Sequence, residues 1–239
     1  MSYARLVNDR TRPSLLKTTD DTQHSTERQK NMSDQRVWIS EALRDTTLIR
    51  PFTSDVSENR TKEFLHAHSL ARVGNALSQA MVARALYAKE PQPIGRLPEF
   101  FEGCGYSIVS KRFADVLRGF DLGDCKLYDV DVFEHDRTTR CAGDYELLSI
   151  AGAKGAFLPE QSTGLRRMYR DEQDIWHLIK IEDGSVAVTD SATRGADIWT
   201  EGERLPLHFF ISDRLKRALD DAKLNARLSL STCRVIYRH

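Results

Sequence analysis

Two short stretches of the chain carry residue types that could do chemistry. Gly103-Cys104-Gly105 places a thiol in a tight turn, but a nucleophile elbow needs one residue between the nucleophile and each glycine, and this spacing has none. The acidic stretch from Asp129 to Asp136 offers oxygen ligands of the kind that divalent cations prefer. Its two strand aspartates would share one face while the acids after them enter a turn, so a solvated strand face is the favoured interpretation.

A basic and aromatic stretch favours protein recognition over catalysis. Trp, Tyr and Arg supply most of the binding energy in protein interfaces, whereas the acids that follow at positions 171, 172 and 174 oppose a nucleic-acid site. Trp176 also fits a core position, because it lies in a strand-like segment. The residues predicted to contact a protein partner are Arg166, Arg167, Tyr169, Arg170 and Trp176.

The longest periodic pattern precedes these stretches. Apolar residues recur close to every 3.6 positions over about residues 61–90, and no proline interrupts them. This pattern predicts one long amphipathic helix that ends before Pro91, and it leaves Gly74 a packing role inside that helix.

Two further helices are predicted by their caps. Ser110 follows a short apolar strand and precedes a helical stripe, and Ser212 does the same near the C-terminus. Aligning the two segments matches Ser110 with Ser212 and Arg112 with Arg214. Two explanations of this likeness stay open: an internal structural repeat, or the sequence pattern common to any strand that is followed by a capped helix.

The remaining pattern consists of short strands. An Asp183-Gly184 turn signal separates the strand-like segments 175–181 and 186–188, and residues 228–237 read as a terminal strand. The predicted fold class is therefore α+β, with a mixed or antiparallel sheet of short strands. Residues 1–34 are polar and are predicted to form a mobile arm, while residues 35–239 form a single α+β domain.

Composition excludes several function classes. Lys and Arg total 35, as do Asp and Glu, so no net positive field draws the chain to nucleic acid. No run of roughly 20 apolar residues is present, and no signal peptide begins the chain, which argues against a membrane protein or an exported one. Four scattered cysteines without a metal-ligand or dithiol spacing favour a reducing cytoplasm. We expect no cofactor and no metal.

The order of these segments resembles a known family. Residues 96–236, from LPEFFEGCGYSIVSKRF through the Asp197-Ile198-Trp199 strand to the second serine-capped helix, are similar to immunity family eleven of the bacterial polymorphic-toxin immunity proteins. The resemblance implies a non-catalytic protein that binds and neutralises a cognate toxin delivered by a type VI or contact-dependent system. It supplies no catalytic residue.

Two other functions stay open on the sequence alone. An adaptor or chaperone that loads a secreted effector would also bind protein without a cofactor. A small enzyme would use Cys104 or the acidic stretch from Asp129 to Asp136.

Overall fold

A computed structural model of the protein describes residues 36–168 and 174–237, so the predicted arm lies outside the described residues. Four α-helices fall within these ranges: α1 (Asp55–Asn59), α2 (Thr61–Arg72), α3 (Lys111–Leu117) and α4 (Asp213–Asp221). The strands in the same ranges are short: β1 (Val37–Ser40), β2 (Ile49–Arg50), β3 (Phe52–Ser54), β4 (Ala85–Ala88), β5 (Phe100–Gly103), β6 (Tyr106–Ser110), β7 (Lys126–Phe133), β8 (Tyr145–Ser149), β9 (Leu165–Arg167), β10 (Trp176–Leu178), β11 (Ala187–Thr189), β12 (Ile198–Trp199), β13 (Phe209–Ser212), β14 (Leu230–Thr232) and β15 (Arg234–Ile236).

The largest sheet nearly closes on itself. Its strand order is β2-β5-β6-β8-β7-β4-β3, and the two edge strands β2 and β3 are separated along the chain by Pro51 alone. Strand β2 pairs with β5 in parallel and β4 pairs with β7 in parallel, while the other pairs are antiparallel. The predicted α+β class with a mixed sheet is confirmed, and the described part of the chain is mostly β.

Successive side chains of the barrel-like sheet enter different cores. Phe101 packs inside the sheet with Ile108 and Leu147, whereas its neighbour Phe100 packs outside it, because side chains alternate along a strand. The outer core also receives the apolar faces of α3 and α4. The antiparallel sheet β12-β13-β1-β14 covers this core with one face. Its other face forms a third core that contains Ile39, Trp199 and Phe210.

The two serine-capped helices repeat one set of contacts. The hydroxyl of Ser110 accepts from the N–H of Phe113, and that of Ser212 accepts from the N–H of Leu215, both at 3.2 Å. Each serine also donates its hydroxyl to an acid from the preceding segment, which is Glu99 in one unit and Asp197 in the other. The arginine two positions after each serine donates to the same acid. A simple helix cap does not require an acid that accepts from both the serine and the arginine. The presence of this acid in both units therefore supports an internal structural repeat.

The prediction of one helix over about residues 61–90 is wrong. Helix α2 ends at Arg72, where Gly74 has a φ of +74°. The N–H groups of Gly74 and Asn75 donate to the carbonyls of Ala71 and Leu70, each at 3.0 Å, and this pair of bonds is a Schellman motif. Gly74 is therefore the residue that ends the helix. The later apolar residues of the pattern belong partly to β4, which pairs with β3 and β7.

The segments 175–181 and 186–188, which the turn signal separates, do not pair with each other. Strand β10 in the first segment pairs with β9, and β11 in the second pairs in parallel with β15. The predicted terminal strand divides at Cys233 into β14, which pairs with β1, and β15. The Asp183-Gly184 turn is present, because the N–H of Ser185 donates to the carbonyl of Glu182 at 3.0 Å, and Asp183 also accepts a bond from the N–H of Thr232.

Candidate functional site

Three of the five residues predicted to contact a partner, Arg166, Arg167 and Trp176, fall on a two-stranded hairpin formed by β9 and β10. Arg167 lies opposite Trp176 in the antiparallel register, and Arg166 lies opposite His177. Tyr169 and Arg170 lie outside the described residues. We call the described residues of β9 and β10, together with Met168 and Ile179, the hairpin surface.

The hairpin surface has two faces with different surroundings. Leu165 and Trp176 lie on the inner face and pack against the third core, as expected for a tryptophan in a strand. The guanidinium of Arg167 lies 5.5 Å from the centre of the Trp176 ring. The outer face carries Arg166 with two large exposed side chains, Met168 (39% exposed) and Ile179 (63% exposed). The predicted residues therefore divide between two faces of one hairpin.

Polar contacts hold β10 near both of its ends. The indole N–H of Trp176 donates to Asp174 at 2.6 Å, and the Nε of Arg204 donates to the same carboxylate at 2.6 Å. The bond from Trp176, followed by that from Arg204, holds the pKa of Asp174 below its usual value. At the other end of β10, Arg44 donates to the carbonyl of Leu178 at 2.6 Å. The hairpin is thus held in one orientation, which lowers the entropy cost of binding.

The two stretches that could have done chemistry have structural partners. Cys104 has a φ of +51° in the two-residue turn between β5 and β6, and its Sγ lies 3.6 Å from the Oγ of Ser54. Burial raises the pKa of Cys125 to about 11 and that of Cys141 to about 12. Within residues 36–168 and 174–237, no three His, Cys, Asp or Glu side chains are placed to hold a metal ion.

The acidic stretch Asp129–Asp136 is divided among local contacts. Asp131 pairs with Arg140 at 2.8 Å, and Glu134 accepts from the N–H of Ile94 at 2.9 Å. Asp136 accepts from the backbone of Thr139 and from its hydroxyl, which lowers the pKa of this carboxyl to about 2. These contacts support the expected strand face and turn.

Sequence reasoning missed a cavity of 580 Å³ beside α2. Its walls come from α2, the β5–β6 hairpin, the end of β8 and the segment 200–208. The charged and titratable side chains that line it are Glu102, Arg72, His68, Tyr106 and His208. Much of the remaining lining is apolar, including Leu43, Leu77 and Leu207. We call this space the Glu102 cavity.

Glu102 has an unusual environment for a carboxylate. Burial raises its pKa to about 7, and its side chain makes no hydrogen bond or ion pair with any residue that the structure describes. Arg72 lines the same cavity but is exposed, and it too makes no ion pair with a described residue. A single acid in the apolar run Phe100 to Val109 was the available sequence signal for this site.

Burial disfavours the charged form of both cavity histidines. The Nδ1 of His208 lies 2.9 Å from the carbonyl oxygen of Pro206, and because a carbonyl only accepts, this nitrogen carries the proton. Burial lowers the pKa of His208 to about 4, and its Nε2 has no partner in the described protein. His68 donates from Nε2 to the carbonyl of Cys104 at 3.2 Å, and burial lowers its pKa as well. Neither ring supplies a positive charge to Glu102.

Comparison with known proteins places the chain in a family. No helix among the described residues combines the length and apolar character needed to span a bilayer. No curated protein sequence matches the chain. The model of the immunity protein family Imm11 matches residues 85–227, a stretch that runs from β4 past α4 and holds the hairpin surface and Glu102. Since this match covers more than half of the sequence and agrees with the resemblance seen in the residues, the chain belongs to the immunity protein family Imm11.

Proposed function

We propose that this protein protects its bacterium by binding a cognate toxin directly and covering the toxin's functional surface. The family match over residues 85–227 carries this proposal, because membership of Imm11 supports a role in toxin immunity and implies a toxin partner. The toxin reaches the cytoplasm through a type VI or contact-dependent system, and the immunity protein meets it there. Inhibition needs no cofactor and no bond-making step.

The hairpin surface is the contact region that we propose. Its exposed Met168 and Ile179 supply apolar area on the same face as the cation Arg166, and this mixture is typical of the buried centre of an interface. The contacts of Asp174 and Arg44 hold the hairpin in place. A stable complex would bury about 1,600 Å² in total, so residues around the hairpin would contribute as well.

A binding experiment tests both the function and the surface. The full chain is titrated with the C-terminal toxin domain encoded next to its gene, and cell survival is measured when the two are expressed together. We expect tight binding without added cofactor, and survival that depends on the immunity gene. Absence of both binding and protection contradicts the proposed function.

Charge reversal separates the surface from the function. Arg166→Glu combined with Ile179→Asp should weaken binding at least ~10-fold while leaving the thermal unfolding temperature nearly unchanged, because both side chains are exposed. Arg84→Glu is the matched control, since Arg84 is exposed and its side chain contacts no described partner. Binding that is equal in the double variant and the control would assign the contact to another surface.

The other two functions give different results in the same cells. An adaptor would be needed for secretion of the effector, whereas an immunity protein is needed for survival when the toxin is present. An enzyme would lose activity in a Cys104→Ala, Asp129→Asn, Asp131→Asn triple variant, whereas we expect that variant to bind and protect normally.

A further inference from the structure

We propose that the Glu102 cavity is a binding site for a guanidinium group. This inference goes beyond toxin immunity and does not depend on the hairpin surface. It rests on the carboxylate of Glu102, which has no partner among the described residues and lines a cavity of ligand size. Part of the cavity wall is apolar and could contact an alkyl chain.

The size and lining of the cavity suit a small group on an alkyl stem. Its volume of 580 Å³ lies within the roughly 300–1,000 Å³ that ligand pockets occupy. Leu43, Leu77 and Leu207 offer apolar surface for a methylene chain. An arginine side chain combines such a stem with a charged head.

The charge on the lining favours a cation that donates hydrogen bonds. Glu102 has no donor from the described protein, and a carboxylate withdrawn from water gains most from a charged donor. Burial disfavours the charged forms of His68 and His208, so the only fixed positive charge on the lining is Arg72. Arg72 is exposed, and its charge is therefore solvated and screened.

The choice between cations follows from hydration and from geometry. A metal ion needs several ligands, and the described residues include no group of three His, Cys, Asp or Glu side chains placed to hold one. A lysine ammonium is strongly hydrated, whereas a guanidinium is weakly hydrated and binds a carboxylate through two parallel hydrogen bonds. A half-buried carboxylate therefore selects the guanidinium.

Ligand titration of the full chain tests the proposal. The probes are N-methylguanidinium and Nα-acetyl-arginine-N-methylamide, with the citrulline counterpart as the neutral isostere, and binding is followed by amide chemical shifts. We expect saturable binding of a guanidinium probe, with shifts at the cavity residues and at least ~10-fold weaker binding of citrulline. Binding should strengthen from pH 6 to pH 8 as Glu102 loses its proton, while burial disfavours the charged forms of His68 and His208.

Variants assign the effect to Glu102. Glu102→Gln should weaken guanidinium binding at least ~10-fold and remove its pH dependence, while Glu63→Gln, which removes an exposed acid from α2, should change neither. A thermal unfolding curve for Glu102→Gln shows whether the variant is folded. No saturable binding of either guanidinium probe, equal binding of citrulline, or unchanged binding in folded Glu102→Gln overturns the proposal.

The two probes distinguish the source of the group. Binding of the blocked arginine shows that a side chain within a polypeptide fits the cavity, and a protein partner could then supply it. Binding of N-methylguanidinium alone restricts the source to free small molecules.

Discussion

Asp197 and Glu102 are both carboxylates withdrawn from water, but their surroundings are opposite. Asp197 is fully buried and accepts four hydrogen bonds, from the hydroxyl of Ser212, from Nε and Nη2 of Arg214 and from the N–H of Asp121. Glu102 lines a cavity and accepts none from a described residue. The comparison teaches that burial alone does not give a carboxylate its role: a satisfied acid joins segments of the fold, and an unsatisfied one is free to receive a ligand.

The largest expected effect comes from removing the satisfied acid. Asp197→Ala should lower the free energy of unfolding by about 2–3 kcal/mol, because it removes an acceptor of four hydrogen bonds and leaves the part-buried hydroxyl of Ser212 and the N–H of Asp121 without a partner. Urea unfolding followed by tryptophan fluorescence measures the loss. Glu99→Ala, the equivalent change in the first serine-capped unit, should cost about 1 kcal/mol, since the Glu99 side chain is 25% exposed. Equal losses would contradict the distinction between the two acids.

Removing the unsatisfied acid should have the opposite sign. Glu102→Gln should raise the free energy of unfolding at pH 8 by about 1–2 kcal/mol, after allowance for partial solvent screening, because it removes a charge that the folded protein does not stabilise. The folded pKa of about 7 exceeds the ordinary value of 4.5, so the wild type holds a proton that the unfolded chain has released.

This difference fixes the pH window of the effect. Wild-type stability should fall between pH 4.5 and pH 7 relative to the variant, and the two proteins should be nearly equal below pH 4.5. Urea unfolding of both proteins at pH 4, 6 and 8 checks this. A difference that stays constant with pH would show that folding does not shift the pKa of Glu102.

The two caps give the next effect. Ser212→Ala removes both a cap bond and a donor to buried Asp197, and it should cost about 2 kcal/mol. Ser110→Ala removes the same two bonds at partly exposed Glu99 and should cost about 1 kcal/mol. Thermal or urea unfolding of the two variants side by side measures the difference, and a larger loss for Ser110→Ala would reverse the expected ranking of the units.

The smallest effect concerns the two arginines. Arg112→Met should change the free energy of unfolding by no more than about 0.5 kcal/mol, because both members of its pair with Glu99 reach solvent. Arg214→Met should cost about 1 kcal/mol, since its partner Asp197 stays buried with one charged donor fewer. Double-mutant cycles with the matching acids isolate each pair, and equal coupling energies in the two units would contradict the role given to burial.

Local patterns predicted some elements well and others poorly. The serine caps were predictable because the hydroxyl bonds an N–H three residues away, and the alternation of β7 was predictable because it lies in consecutive residues. The end of α2 was missed although Gly74 was visible, because the apolar period continued beyond it. The partners of β10 and β11 were missed because a turn signal does not say which strands pair: β10 pairs with the preceding strand β9, and β11 pairs with the distant β15.

The sequence by itself determined the short-range features of this protein: the two capped helices, the alternating strands, the α+β class and the family that the ordered segments resemble. Only the tertiary structure decided which strands pair, where the apolar residues after Gly74 lie, how the predicted contact residues divide between two faces, and that Glu102 has no partner in the described protein. The physical reason is the distance along the chain over which each interaction acts. Caps and strand faces depend on residues a few positions apart, whereas burial and the supply of donors to a carboxylate depend on segments brought together by folding.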